Sequence, residues 1–192
     1  GDMTALTKHV EQHPAVEAKY QADVVVVGGG LIGLEVAENL ADRGVKTSVI
    51  DFAPHVLSEM LDPEMSEYVE NAMANAGIMP FTGVALEGIT GTGKVEKVLT
   101  SRRPMKADAV VLAMGFRPNT DFLADSGLEM VKGTLLVDEH MQTNDPDIYA
   151  AGDCALVTSR ITGQRQWSAM GSTANICGRL AAMHMAGDEN AP

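Results

Sequence analysis

Basic residues are scarce in this 192-residue chain, with 14 Lys and Arg against 26 Asp and Glu and a formal net charge of −12. So little positive charge argues against binding nucleic acid or an anionic membrane through bulk electrostatics. Cysteine is almost missing: only Cys154 and Cys177 occur. Two thiols exclude a disulfide-dense scaffold, a four-cysteine zinc site and a CxxC redox pair, and the pair reads as two unlinked thiols. No apolar run approaches the ~20 residues that cross a bilayer. The start of the chain lacks the basic-then-apolar pattern of an export signal, so the expected location is the cytoplasm. What is present is ordinary for a globular protein, 45% hydrophobic and 21% charged. The 12 methionines read as core filler.

The polar lead-in, residues 1–22, predicts a short helix over Ala5 to Gln12. His9 and His13 are four apart and could share a helix face. The Glu that a zinc-hydrolase helix places beside its first His is absent, and Pro14 follows at once, so no metal site is assigned.

From Asp23 the pattern changes. Asp23 to Val27 is a continuous β-branched run, as expected of a strand buried on both faces. Gly28-Gly29-Gly30-Leu31-Ile32-Gly33 follows, then apolar residues at helical spacing to Ala41, and Gly44 to stop the helix. Val45 to Ile50 reads as the next strand. A second helix is predicted over Pro63 to Ala76, with Asp62 as N-cap and Gly77 past its end. Three β-type runs come next, Ile78 to Phe81, Val84 to Ile89 and Val95 to Thr100, the last two joined by a turn at Gly91 to Gly93. Gly88 to Lys94 has phosphate-loop spacing, but Val95 replaces the required Ser or Thr and a strand follows where a helix is needed. Ala109 to Ala113 is a further strand, and the pattern lapses near Arg117 to Asn119, giving expected domains 23–117 and 118–192. In the second, Leu135 to Val137 and Ile148 to Ala151 read as strands and Ala169 to Met185 as a helix. The fold class is therefore α/β, a Rossmann-like parallel sheet with a β-meander.

The glycines suit a dinucleotide. Gly28 permits a tight turn, Gly30 lets a pyrophosphate approach the backbone, and Gly33 lets the helix pack close on the strand. The helix N-terminus supplies free N–H groups and partial positive charge, which hold an anion even on an acidic protein. Asp51 lies 18 residues after Gly33, at the end of the second strand. Its carboxylate can accept from ribose hydroxyls and would repel a 2′-phosphate. Residues 51–93 contain no Lys or Arg, which favours NAD(H) over NADP(H). An S-adenosylmethionine-dependent methyltransferase also needs a glycine turn and a following acidic residue, and a non-catalytic nucleotide-binding sensor or interaction module remains open as well. A short-chain dehydrogenase is excluded, because Tyr20, Tyr68 and Tyr149 are followed four residues on by Val24, Ala72 and Asp153 rather than lysine.

Together, the stretches Val24–Glu35, Leu61–Met65, Ala113–Asn119, Thr143–Asp153 and Ala174–Ala182 resemble the FAD-dependent pyridine nucleotide–disulfide oxidoreductases, in the branch of NADH oxidases and coenzyme A-disulfide reductases. The resemblance implies that Gly28, Gly30, Leu31, Ile32 and Gly33 hold the NAD pyrophosphate, with Glu35 near the nicotinamide. Asp51 and Phe52 would meet the adenosine, Val84 would lie beside the adenine, and Gly115 would face the nicotinamide side. Gly152 and Asp153 would belong to the FAD half, and backbone near Ala169 would approach the flavin. The residues alone also allow Glu35 to be a solvated helix residue, Asp153 a loop residue or cap, and Val84 a core valine.

Residues 118–192 would then be the C-terminal portion of an FAD domain. The family's first FAD segment, its redox-active cysteine and its C-terminal dimerisation domain have no counterpart here, and neither Cys154 nor Cys177 matches that cysteine. The expectation is a piece of a longer enzyme, homodimeric through the missing domain, whose partners are small-molecule cofactors and a redox acceptor. No catalytic residue is assigned within the chain. The strand Ile148 to Ala151 would lack its neighbours, which predicts self-association or disorder after about residue 120.

Overall fold

The computed structural model describes residues 22–188, so the lead-in helix and the His9 and His13 pair lie outside it. The chain divides into two compact units, meeting between Gly115 and Phe116.

The first unit is organised by strand β1, Asp23–Val27. Its run of valines is continuous because both faces are covered. Val24 and Val26 pack with Val36, Ala37 and Leu40 of helix α1, Leu31–Asp42, and with Val49, Met73 and Ile78. Val25 and Val27 face the other way, into a core of Ile50, Val84, Val98 and Ala107. Period-two alternation thus serves two cores at once. Strands β2 (Lys46–Ile50) and β3 (Ile78–Phe81) extend the sheet on one side of β1. Between them lies helix α2, Pro63–Asn75, whose N-cap Asp62 accepts a hydrogen bond from the Met65 N–H at 3.0 Å.

Strands β4 (Leu86–Thr90), β5 (Lys97–Thr100) and β6 (Met105–Lys106) form a separate antiparallel meander. The Gly88 to Lys94 segment is the end of β4 and the start of its hairpin turn toward β5. Strand β4 starts two residues later than the sequence suggests. Val84 and Ala85 are engaged elsewhere, donating to the Asp51 carbonyl and to Ser101 Oγ. Strand β7, Ala109–Leu112, then returns to pair with the other edge of β1. The sheet order is β3-β2-β1-β7, all parallel. The order reverses between β1 and β7, and open α/β sheets bind ligands outside the carboxyl ends of strands at such a switch point.

The opposite, amino-terminal end of the sheet carries a charge cluster. Asp23 accepts from Lys46 Nζ at 2.6 Å and from Lys106 Nζ at 2.8 Å, while its own N–H donates to the Asp108 carboxylate. Burial raises the Asp23 pKa, but hydrogen bonds and charge from Lys106 and Lys46 outweigh it and hold the carboxyl below its ordinary value.

The second unit contains strands β8 (Met130–Val131), β9 (Thr134–Leu136), β10 (Ala155–Thr158) and β11 (Arg165–Trp167), in the order β11-β10-β9-β8. The β9 and β10 strands are parallel and the outer pairings antiparallel. Helix α3, Gly171–Met185, supplies Cys177 and Ala181 to a core with Leu135, Val137, Met141, Ala150 and Ala155.

One expectation needs correction here: Ile148 to Ala151 is not a strand. Tyr149 makes one isolated bridge to Gln142, and the Thr143 hydroxyl and Asp145 carboxylate tie the intervening turn to its own backbone. The true neighbour of β9 is Ala155–Thr158, too short and too flanked by polar residues to stand out in the sequence.

Candidate functional site

The glycine turn sits at the carboxyl ends of β1 and β7. A Cβ on Gly28 would lie 2.2 Å from the Ala113 carbonyl oxygen, and the residue has φ +112°. A Cβ on Gly33 would lie 1.9 Å from the Gly28 carbonyl oxygen. Both positions demand glycine for packing of the turn against its own sheet. Gly30 differs: nothing lies within 4 Å of its Cβ position, and its φ of −81° suits any residue. No fold requirement is visible at Gly30, so the open space beside it is what a bound group would fill.

Gly30 is also the N-cap of α1 and offers no side chain to its N–H groups. The first amide to bond back within the helix is that of Leu34, to the Gly30 carbonyl. The amides before it are therefore available to an anion. Leu31 and Ile32, in this first turn, are 60% and 62% exposed. Glu35 is exposed one turn on from Leu31, and its carbonyl accepts from the Asn39 side-chain amide.

Asp51 follows β2 and is held in place. One carboxylate oxygen accepts the Gly29 N–H at 2.5 Å and the other accepts the Ala53 N–H at 2.8 Å. The carboxylate therefore locks the glycine turn to the end of the neighbouring strand. It retains unused lone pairs for further donors. Leu57 N–H donates to the Gly29 carbonyl, so the 52–57 loop braces the same turn, a contact invisible in the motif spacing. Phe52, directly after Asp51, is 83% exposed.

Val84, which the resemblance sets beside the adenine and the residues alone also allow as a core valine, follows the exit of β3. It is 3% exposed and packs in the core behind β1. Its backbone N–H donates to the Asp51 carbonyl at 2.8 Å, and the Gly83 N–H donates to Ala53. What Val84 does is tether the β3 exit to the Asp51 loop. Gly115 closes the first unit in an exposed position three residues beyond β7, with open space at its Cβ.

In the second unit, Gly152, Asp153 and Cys154 form a 3-10 turn. A Cβ on Gly152 would lie 3.6 Å from Ala174 Cβ, so this turn sits against the first turn of α3. Ala169 is half-buried two residues before that helix. The structure thus gathers Gly152, Asp153 and Ala169 about one helix N-terminus. The Asp153 side chain is exposed, while its carbonyl accepts the Trp167 indole N–H at 2.7 Å. Cys154 and Cys177 are both free, and burial pushes the Cys177 thiol pKa up. A buried, protonated thiol is a poor nucleophile. No group of His, Cys, Asp and Glu among the described residues is arranged to hold a metal ion.

The first unit is thus a dinucleotide-binding α/β fold in its sheet order, its glycine turn and its acidic residue after β2. The comparisons agree. The model of the pyridine nucleotide-disulphide oxidoreductase family matches residues 2–176. An NADH oxidase of Methanocaldococcus jannaschii is 38% identical over 188 residues, covering 98% of this chain and 41% of its own length. An NAD(P)H sulfur oxidoreductase (CoA-dependent) of Pyrococcus abyssi is 33% identical, with 98% and 41% covered. Among solved structures, the water-forming NADH oxidase of Lactobacillus brevis bound to NADH superposes with a TM-score of 0.84 at 27% identity, covering 95% of this chain and 39% of that one. The chain belongs to the pyridine nucleotide-disulphide oxidoreductase family, and the methyltransferase reading falls. It spans about two fifths of the length of these relatives.

Proposed function

We propose that this chain is the NAD(H)-binding portion, with part of the FAD-binding portion, of an FAD-dependent NADH oxidoreductase. The observation that carries the reading is the contrast among the glycines. Two are required by the fold, whereas Gly30 leaves open space at the N-terminus of α1. When bound, NADH would supply a hydride and FAD would accept it, the two electrons then passing to a disulfide or oxygen acceptor.

The protein's part is positional and electrostatic. Gly28 and Gly33 keep the turn tight, and the amides at Leu31 and Ile32 hold the pyrophosphate. Asp51 orients the adenosine ribose through its remaining lone pairs, with Phe52 available against the base. Glu35, one helical turn on, lies toward the nicotinamide, as does Gly115. Asp153, with Gly152 and the backbone at Ala169, contributes to the FAD half. The chain alone binds NAD(H) weakly and does not turn over. We place the whole protein in the cytoplasm as a homodimer; no helix among the described residues is long and apolar enough to cross a membrane.

Titration calorimetry of the 192-residue chain with NADH tests this. One site per chain with a dissociation constant of about 10 μM to 1 mM is expected. Absence of heat with either NADH or NAD at millimolar concentration overturns the reading.

A further inference from the structure

The preference for NAD(H) drawn from the sequence rested on the lack of Lys and Arg between residues 51 and 93. Folding brings two arginines to that region from outside the window. The turn after β5 is fastened to the residues that follow β3. Ser101 N–H donates to the Ala85 carbonyl at 3.0 Å, and Ala85 N–H donates to Ser101 Oγ at 3.0 Å. Within the turn, Thr100 Oγ1 accepts the N–H groups of Arg102 and Arg103 and donates to the Arg103 carbonyl. The β3 exit is fastened in its turn to the Asp51 loop, through Val84 N–H on Asp51 and Gly83 N–H on Ala53. A continuous run of backbone bonds therefore links the arginine turn to the main chain of Asp51, whose carboxylate marks the ribose position.

The two arginines then differ. Arg103 has its guanidinium carbon 5.7 Å from the centroid of the Phe81 ring and is engaged there. Arg102 extends over Gly83, with Nη2 3.3 Å from where a Cβ on that glycine would sit. Among the described residues its guanidinium has no ion pair and no hydrogen bond, although acidic residues outnumber basic ones nearly two to one in this chain. A cation presented on a fixed turn beside an adenosine position, and paired with nothing, suits a phosphate oxygen there.

We propose that Arg102 is a specificity-determining residue that pairs with a phosphate on the 2′-position of the adenosine ribose. It offsets the repulsion from Asp51 and admits NADPH alongside NADH. The inference rests on the proposed NAD(H) site. It makes the arginine turn of the meander, rather than the loop after β2, the source of positive charge.

Calorimetric titration of the full chain with NADH and with NADPH separates the possibilities, using the wild type, Arg102→Gln and Arg102→Lys, each checked by thermal melting. The wild type should bind NADPH within about tenfold of NADH. Arg102→Gln should weaken NADPH about tenfold, the scale of one charge-assisted hydrogen bond, and leave NADH within about twofold. Arg102→Lys should keep most of the NADPH affinity. Added salt should weaken NADPH more than NADH in the wild type, and this difference should vanish in Arg102→Gln. Equal weakening of both cofactors would mean that Arg102 stacks on the base or supports the turn, and would overturn the proposal. So would NADPH binding that is insensitive to the substitution, or wild-type binding of NADH alone. If the wild type binds neither cofactor, the NAD(H) site itself fails, a result distinct from normal NADH binding with NADPH indifferent to Arg102.

Discussion

At the scale of single residues, the glycine turn separates packing from binding. Gly33→Ala would drive a methyl group into the Gly28 carbonyl, a backbone group with no flexible side chain to yield. The expected cost is about 3 kcal/mol, read as a lowered urea midpoint. Gly30→Ala meets nothing and has a backbone that alanine accepts. As a change at the N-cap it should cost no more than about 1 kcal/mol, yet bind NADH at least about tenfold more weakly, because the methyl group would occupy the space proposed for the pyrophosphate. An equally large loss of stability in both variants would remove the distinction. The sequence motif names all three glycines but does not say which serve the fold; that emerges only from what each absent side chain would touch.

Elements were legible where local chemistry and tertiary setting agree. The strand Asp23–Val27 announced its double burial through an unbroken valine run, and α2 was framed by Asp62, Pro63 and Gly77. Replacing that cap, Asp62→Ala, frees the Met65 N–H and should cost about 1 kcal/mol, visible as a drop of a few degrees in melting temperature. The variant should leave NADH affinity unchanged, since α2 begins after the loop that braces the turn. Elements were hidden where partners distant in the chain decide. The apolar stretch Ile148 to Ala151 resembles a strand, yet its backbone is spent on a turn held by Thr143 and Asp145. The strand Ala155–Thr158 gains its identity from pairing with Leu135 and Leu136, about twenty residues earlier. Val84 was readable as a core valine, but not which core it enters, since that core is completed by Val98 and Ala107 from farther along the chain. Arg102 was outside any motif, and only the bonds between Ser101 and Ala85 carry it to the Asp51 region.

At the scale of the whole molecule, the proposed binding site and the structural charge cluster occupy opposite ends of the parallel sheet. The carboxyl ends carry the glycine turn, while the amino ends carry Asp23 between Lys46 and Lys106. Because the folded Asp23 pKa lies below its ordinary value of 3.8, its contribution is present above that value and disappears as pH falls through the lowered one. Lys106, raised above 10.5 mainly by its hydrogen bond to Asp23, loses its contribution only as pH climbs through that raised value. Asp23→Asn should therefore lower stability at neutral pH and flatten its decline between about pH 5 and pH 2, measured by urea unfolding across that range. A variant whose acid profile parallels the wild type would show the cluster to be inconsequential. NADH affinity should be untouched at neutral pH, because the cluster lies a full strand length from the turn.

Trp167 is the chain's single tryptophan. Its indole is bonded to the carbonyl of Asp153, and its ring tilts against Phe116 at 5.3 Å between centroids. Indole emission shifts in colour and brightness when that bond or that ring contact changes. The protein thus carries its own optical reporter on the turn proposed for the flavin half. A fluorimeter, with no label attached, can follow what happens there while NADH titrations probe the other unit.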